Sequence, residues 1–152
     1  MNYKIEILVN HKIVYVRNTG EYGSPENFQM MKDFKKWIFY NQLENNKKTQ
    51  GIVGIAQDDP RITPSEQCRY DLLLFTDKGF SQDPQVNMGY FEGEKYAVFT
   101  VTHITEAVGS FWENINEHIS KNDLTVKNSP ILERYKEEEG TDKICEFLIP
   151  IK

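Results

Sequence analysis

The apolar positions change period along the chain. Phe28, Met31, Phe34 and Ile38 recur at three- and four-residue spacing, with Trp37 on one edge of the stripe. That spacing predicts an amphipathic α-helix. Ser24-Pro25-Glu26 supplies its start: an N-cap serine, a proline at the first helical position and an acid in the first turn. A second stripe of Val108, Phe111, Trp112, Ile115 and Ile119 predicts a helix over about residues 106–120. Elsewhere the apolar residues alternate or run unbroken between turn residues, which predicts strands at 4–9, 12–17, 51–57, 70–75, 86–91, 95–103, 131–135 and 144–151. Asn10-His11 reads as a hairpin turn between the first two. Loops rich in Asp, Pro, Gly and Ser follow Gln57 and Thr76.

The element order is strand–strand–helix–strand–strand, twice. Residues 12–16 (KIVYV) echo 95–99 (KYAVF), and 69–73 (RYDLL) echo 144–148 (ICEFL). This predicts an internal duplication within a single domain spanning 1–152, with repeat one at about 1–80 and repeat two at about 84–152. The expected class is α+β: duplicated βαββ repeats with pseudo-twofold symmetry. They form a curved antiparallel sheet with two helices on one face. The seam between the halves is the expected place for a central ligand groove.

In the stretch Ser129–Tyr135, SPILERY, strand alternation puts Ile131, Glu133 and Tyr135 on one face and Leu132 and Arg134 on the other. A carboxylate between an isoleucine and a tyrosine loses hydration, which raises its pKa unless a partner compensates. Three roles stay open at this point. Glu133 attracts a cation that aromatic walls also hold, acts as general acid or base, or pairs with Arg or Lys of a neighbouring strand.

Aromatic residues are 12% of the chain, eight of them tyrosines, enough to wall a pocket for a planar ligand. Tyr70, Trp112, Phe111 and Trp37 are the wall candidates, with Tyr22 and Tyr96 as weaker ones; for each, plain core packing is the competing reading. Asp71 and Glu146 are matched acids of the two repeats. Pairing across the sheet is their expected role, and a dyad with Glu133 is the alternative.

The formal net charge is −5, and no basic stripe exists that could neutralise phosphates, so direct nucleic-acid binding is not expected. No apolar run approaches the roughly 18 residues of a membrane span, and no signal peptide is visible, so the expected location is cytoplasmic. Cys68 and Cys145 are far apart and outside any CxxC pattern, which predicts buried thiols. His11, His103 and His118 occur singly, so no metal is expected; without a glycine-rich phosphate loop or nucleophile elbow, no cofactor is expected either. Residues 136–140, KEEEG, read as a solvated turn.

Ordered pieces along the chain resemble the GyrI-like family of small-molecule-binding domains. They are residues 15–22 (YVRNTGEY), 54–60 (GIAQDDP), 63–66 with 68–71, 96–99, Phe111-Trp112, and 132–135 (LERY). The same module forms the effector-binding part of AraC-type and multidrug-responsive regulators. The resemblance implies duplicated βαββ repeats around a groove, with Glu133 as an acid inside it that meets aromatic, often cationic, ligands. It also implies alternatives. Some members hydrolyse cyclopropane-bearing DNA-alkylating toxins, where Glu133 and the Tyr70 hydroxyl would position water, and some modulate DNA gyrase by protein contact. No helix-turn-helix segment is visible before the module, so the expectation is a stand-alone binder of xenobiotics. The second of the family's two His-Thr-Gly-Pro-Tyr-like turns is eroded here to Thr102-His103-Ile104-Thr105.

Overall fold

The computed structural model describes residues 1–136 and 143–152. Its strands are β1 Tyr3–Ile7, β2 His11–Thr19, β3 Ile52–Ala56, β4 Arg69–Phe75, β5 Asn87–Phe91, β6 Lys95–Thr102, β7 Leu132–Tyr135 and β8 Ile144–Pro150. The helices are α1 Pro25–Tyr40, α2 Glu44–Gln50, α3 Thr105–Glu113 and α4 Ile115–Lys121. The sequence expectation of a KEEEG turn falls largely outside the described residues.

All eight strands form one antiparallel sheet, in the order β1-β6-β8-β7-β3-β4-β2-β5. Read from either edge, the order is the same once each strand is exchanged for its counterpart in the other half. The pseudo-twofold axis passes between β3 and β7, where Gly54 is paired with Glu133. Carried outward through the pairings, this axis matches Leu72 with Phe147 and Val16 with Phe99. It therefore matches Lys12 with Lys95 and Asp71 with Glu146, the same alignment as the repeated letters.

The expected hairpin between the first two strands does not form. β1 crosses to pair with β6, and β5 crosses back to pair with β2, so the halves exchange their first strands. A two-residue hairpin turn needs positive φ at its central residues, and among the described residues neither Asn10 nor His11 has it. Instead the segment joining β1 to β2 is tied to the β5–β6 turn. The Leu8 N–H donates to the Glu94 carbonyl at 3.0 Å, and the Gly93 N–H donates to Asn10 Oδ1 at 2.7 Å.

Both predicted helices are present, and each is accompanied by a short second one. The α1 stripe buries Phe34, Trp37 and Ile38 against Val14, Leu72 and Leu74. The second predicted helix is broken at Asn114, whose side chain donates to the Ser110 carbonyl at 2.8 Å and ends α3. α2 carries no apolar stripe, so periodicity could not predict it. Phe111, Ile115 and Ile119 of α3 and α4 pack on Ala97, Phe99 and Phe147. α1, α3 and α4 thus lie on one face. On the other face Ile13, Val53, Leu73, Val98 and Leu148 are buried in one cluster to which no helix among the described residues contributes, because the curved sheet brings its own two halves together. Cys68 and Cys145 are both buried.

Candidate functional site

Four residues form a row across the seam on the helix-bearing face: Leu72 pairs with Gly54, Gly54 with Glu133, and Glu133 with Phe147. Glycine at 54 leaves a gap in that row. The Tyr70 ring reaches over it, and a Cβ at 54 would collide with the Tyr70 hydroxyl. Through this gap the Tyr70 hydroxyl reaches Glu133, donating to Oε2 at 3.4 Å. Tyr135, two residues on and on the same face, donates its hydroxyl to the same oxygen.

Glu133 is half-buried, and the loss of hydration pushes its carboxyl above the usual range. The two phenol hydrogen bonds and His103 oppose that rise without reversing it. Both phenols are pushed up in turn, first by burial and then by the charge on Glu133. At neutral pH they therefore remain protonated donors. The His103 ring stacks on Tyr135, with centroids 5.2 Å apart and planes at 27°; its Nδ1 is buried without a hydrogen-bond partner among the described residues.

Of the three roles left open for Glu133, the ion pair is not realised among the described residues. The neighbouring Arg134 points through the other face. Its Nε donates to Glu146 Oε1 at 2.8 Å, and Nη1 and Nη2 donate to the Glu6 carboxylate at 2.7 and 3.0 Å. Asp71 faces the same way, bound by Arg17 at 2.7 and 2.8 Å and by Gln57 at 3.0 Å. The matched acids pair across the sheet, and the backbone layer separates both from Glu133, so neither forms a dyad with it.

The aromatic candidates divide. Tyr70 touches Glu133. Tyr22 stands edge-on to Tyr70 at 6.2 Å and is anchored by its hydroxyl, which donates to the Asp58 carbonyl at 2.9 Å and accepts from the Asp58 N–H at 3.0 Å. Trp112 is 36% exposed and meets Phe147 edge-on at 5.1 Å, one residue away from Glu133 along the row. Phe111 is buried and stacked on Phe147 at 4.6 Å, so it is core beneath that wall. Trp37 does not join the group: it is buried beside Phe34 and Phe80, and its Nε1 donates to Asp83 at 2.8 Å. Tyr96 does not join either, because it is buried on the opposite face.

Sequence reasoning nominated neither Tyr135 nor Gly54, Phe147 and His103. The signal for Tyr135 was present, since alternation already placed it on the Glu133 face. The other three depend on which strand lies beside which. Together these residues make a desolvated carboxylate with two phenol donors and flanking rings. Such a group can receive an aromatic cation, or exchange protons with a bound molecule.

The chain matches the GyrI-like small molecule binding domain over residues 1–152 and belongs to that family. It is 43% identical over 152 residues to the SPbeta prophage-derived protein YosT of Bacillus subtilis (strain 168), described as a candidate transcriptional regulator; the match covers 100% of both chains. Among solved structures it is similar to SAV2435 bound to tetraphenylphosphonium, with a TM-score of 0.66 and 20% identity over 100% of this chain and 94% of that one. It is also similar to a hydrolase encoded by lin2189 from Listeria innocua (TM-score 0.66, 9% identity, 99% and 91% covered). A third likeness is to EcmrR in a DNA complex (TM-score 0.68, 8% identity, 99% of this chain and 57% of that one). At these identities the solved structures establish the shared fold.

Proposed function

We propose that this protein binds aromatic or amphipathic small molecules carrying positive charge at Glu133, on the helix-bearing side of the β3–β7 seam. The observation that carries this reading is a half-buried carboxylate that has phenol hydroxyls, and no Lys or Arg among the described residues, as its partners. Burying an ionised carboxylate without a cation is unfavourable, so the site is poised for a cation from outside. Tyr70 and Tyr135 would release Oε2 and present their ring faces to the ligand, while Phe147 and Trp112 extend the wall. The family's small-molecule-binding character and the tetraphenylphosphonium held by SAV2435 support the same class of ligand. Sequestration of such xenobiotics, or sensing of them as effectors, is the corresponding role.

The test is titration with tetraphenylphosphonium by calorimetry. Wild type is expected to bind saturably and Glu133→Gln at least about tenfold more weakly, since each tenfold is about 1.4 kcal/mol and a desolvated charge pair contributes that much or more. Equal affinity in the two proteins would remove Glu133 from the site.

The phenol–carboxylate arrangement also favours a second reading, hydrolysis of cyclopropane-bearing electrophiles. Ionised Glu133 would take a proton from water as the water oxygen attacks a ring carbon. The ring C–C bond would break, and its electron pair would pass to a conjugated carbonyl oxygen that receives a proton from Tyr70. Mass spectrometry separates the two: hydrolysis adds one water to the compound and stops in Glu133→Gln, whereas binding leaves the mass unchanged. The gyrase-modulator reading rests on family resemblance alone and would be indifferent to Glu133→Gln.

A further inference from the structure

A cavity of about 680 Å³ opens on the sheet face opposite Glu133, over the half built on β2, β3, β4 and β5, with Tyr96, Leu132, Lys127, Ser129 and Pro130 of the other half closing its far wall. Pseudo-symmetry explains why it is there. In the other half the corresponding hollow is filled by the Arg134 side chain reaching Glu6 and Glu146. The pairings match Arg134 with Ile55, through Asp71 and Glu146, and match Glu6 with Gly89, through Ile13 and Tyr96. A short apolar residue and a glycine thus stand where the other half has its plug. Both Ile55 and Gly89 line the cavity.

We infer that this cavity is a second small-molecule site, selecting an uncharged amphiphile with a planar apolar body and a hydrogen-bond-accepting end. Its volume lies within the range of drug-sized pockets, roughly 300–1,000 Å³. Ile13, Ile55, Leu73 and Phe91 give it an apolar floor. Tyr15 lies close over Gly89, where a Cβ would be 3.1 Å from the ring.

The polar groups sit at two ends and are already balanced. At one end Arg17 neutralises Asp71 through Nε and Nη2, leaving Nη1 to meet a carbonyl. At the other, Glu94 accepts from Ser129 at 3.1 Å and faces Lys127 at 3.7 Å. The remaining carboxylate of the lining, Glu92, is exposed. Among the described residues of the lining no buried charge is left uncompensated to call for a counter-ion, in contrast to the Glu133 side. The sheet itself separates the two sites, so each would be occupied independently.

Nile red, an uncharged planar dye bearing a carbonyl, is the probe. Wild type should bind it saturably with blue-shifted emission. Affinity should hold within about twofold in Glu133→Gln and under saturating lipophilic cation. It should fall at least about tenfold in Ile55→Arg with Gly89→Glu, which rebuilds the plug of the other half. Circular dichroism and thermal melting establish that this variant is folded. Ile13→Tyr, the residue found at the matched position, gives an independent narrowing, and at least a threefold loss is expected from it. The inference is overturned if wild type shows no saturable dye binding, or if cation or Glu133→Gln displaces the dye. It is also overturned if the folded double variant binds as wild type does, or, should that variant not fold, if Ile13→Tyr does.

Discussion

Gly54 and Glu133 stand opposite each other where β3 meets β7, and they occupy equivalent places in the two halves of the sheet. One half supplies a carboxylate and the other supplies the absence of a side chain. Two carboxylates this close would repel and share a proton. Two glycines would leave nothing to attract a ligand. The asymmetric pair gives one acid with room above it, and Tyr70 uses that room to reach Glu133.

Gly54→Ala tests this relationship. The added methyl meets the Tyr70 hydroxyl and lies 3.0 Å from its Cζ, so the ring must move off the seam. The expected cost is about 1–3 kcal/mol, the usual range for overpacking. Tyr70→Phe removes the most severe contact, so the double variant should be more stable than the sum of the single effects by about 0.5 kcal/mol or more. Strict additivity in urea denaturation would show that Tyr70 does not occupy the gap.

Glu133 should cost stability while conferring binding. Its folded-state pKa is raised, chiefly by burial. Between the unfolded and the folded pKa the native state holds more proton, so stability falls as pH rises through that window. Glu133→Gln keeps an acceptor for the phenols and removes this loss. Its melting temperature should equal or exceed that of wild type at pH 7, with the difference closing in acid. Cation affinity of wild type should rise with pH over the same window and level off above it. A variant that is less stable at pH 7 would mark Glu133 as structural.

Arg134 should behave oppositely. It is 5% exposed and holds Glu6 and Glu146 together across three strands. Arg134→Met removes the buried, hydrogen-bonded cation from two carboxylates and leaves them facing the more exposed Lys4, whose Nζ is 3.9 Å from Glu6 and 3.8 Å from Glu146. The expected cost at neutral pH is about 3 kcal/mol. The Arg134 hydrogen bond holds the Glu6 carboxyl below the usual carboxylate range. That contribution is present above the unfolded carboxylate pKa, about 4.3, and is lost as pH falls through the lower folded value. The stability gap between variant and wild type should therefore shrink below about pH 4. Denaturation midpoints at neutral and acid pH check it; a gap independent of pH would assign the cost to lost packing alone.

Much of this architecture was legible because burial writes its period into the sequence. The α1 stripe and the alternation in LERY follow from helix and strand geometry alone. The repeat alignment of Lys12 with Lys95 survives in the pairing register for the same reason, since equivalent faces need equivalent residues. What period cannot carry is which strand neighbours which. The crossing of β1 to β6 is set by tertiary contacts of Leu8 and Asn10 with the β5–β6 turn, so a local turn reading misplaced it. Tyr96 has the aromatic character of a pocket wall, yet its parity on β6 puts it on the face away from Glu133. Phe147 stands as the wall beside Glu133 through the pairing of β8 with β7, which periodicity does not encode.

The two tryptophans should report on the Glu133 site unequally. Trp112 is 36% exposed and touches Phe147, the neighbour of Glu133 in the seam row. Trp37 is buried, and its indole N–H is engaged by Asp83. An aromatic cation entering beside Glu133 would change the surroundings of Trp112 and leave those of Trp37 intact. Trp37→Phe should therefore keep the ligand-induced change in emission, although losing a packed indole would destabilise it by about 1–3 kcal/mol. Trp112→Phe should lose most of that change while the calorimetric affinity falls by less than about tenfold, because a phenyl ring still lines the wall. The opposite pattern, with signal lost in Trp37→Phe and kept in Trp112→Phe, would move the ligand to the surroundings of Trp37 on α1 and away from the seam.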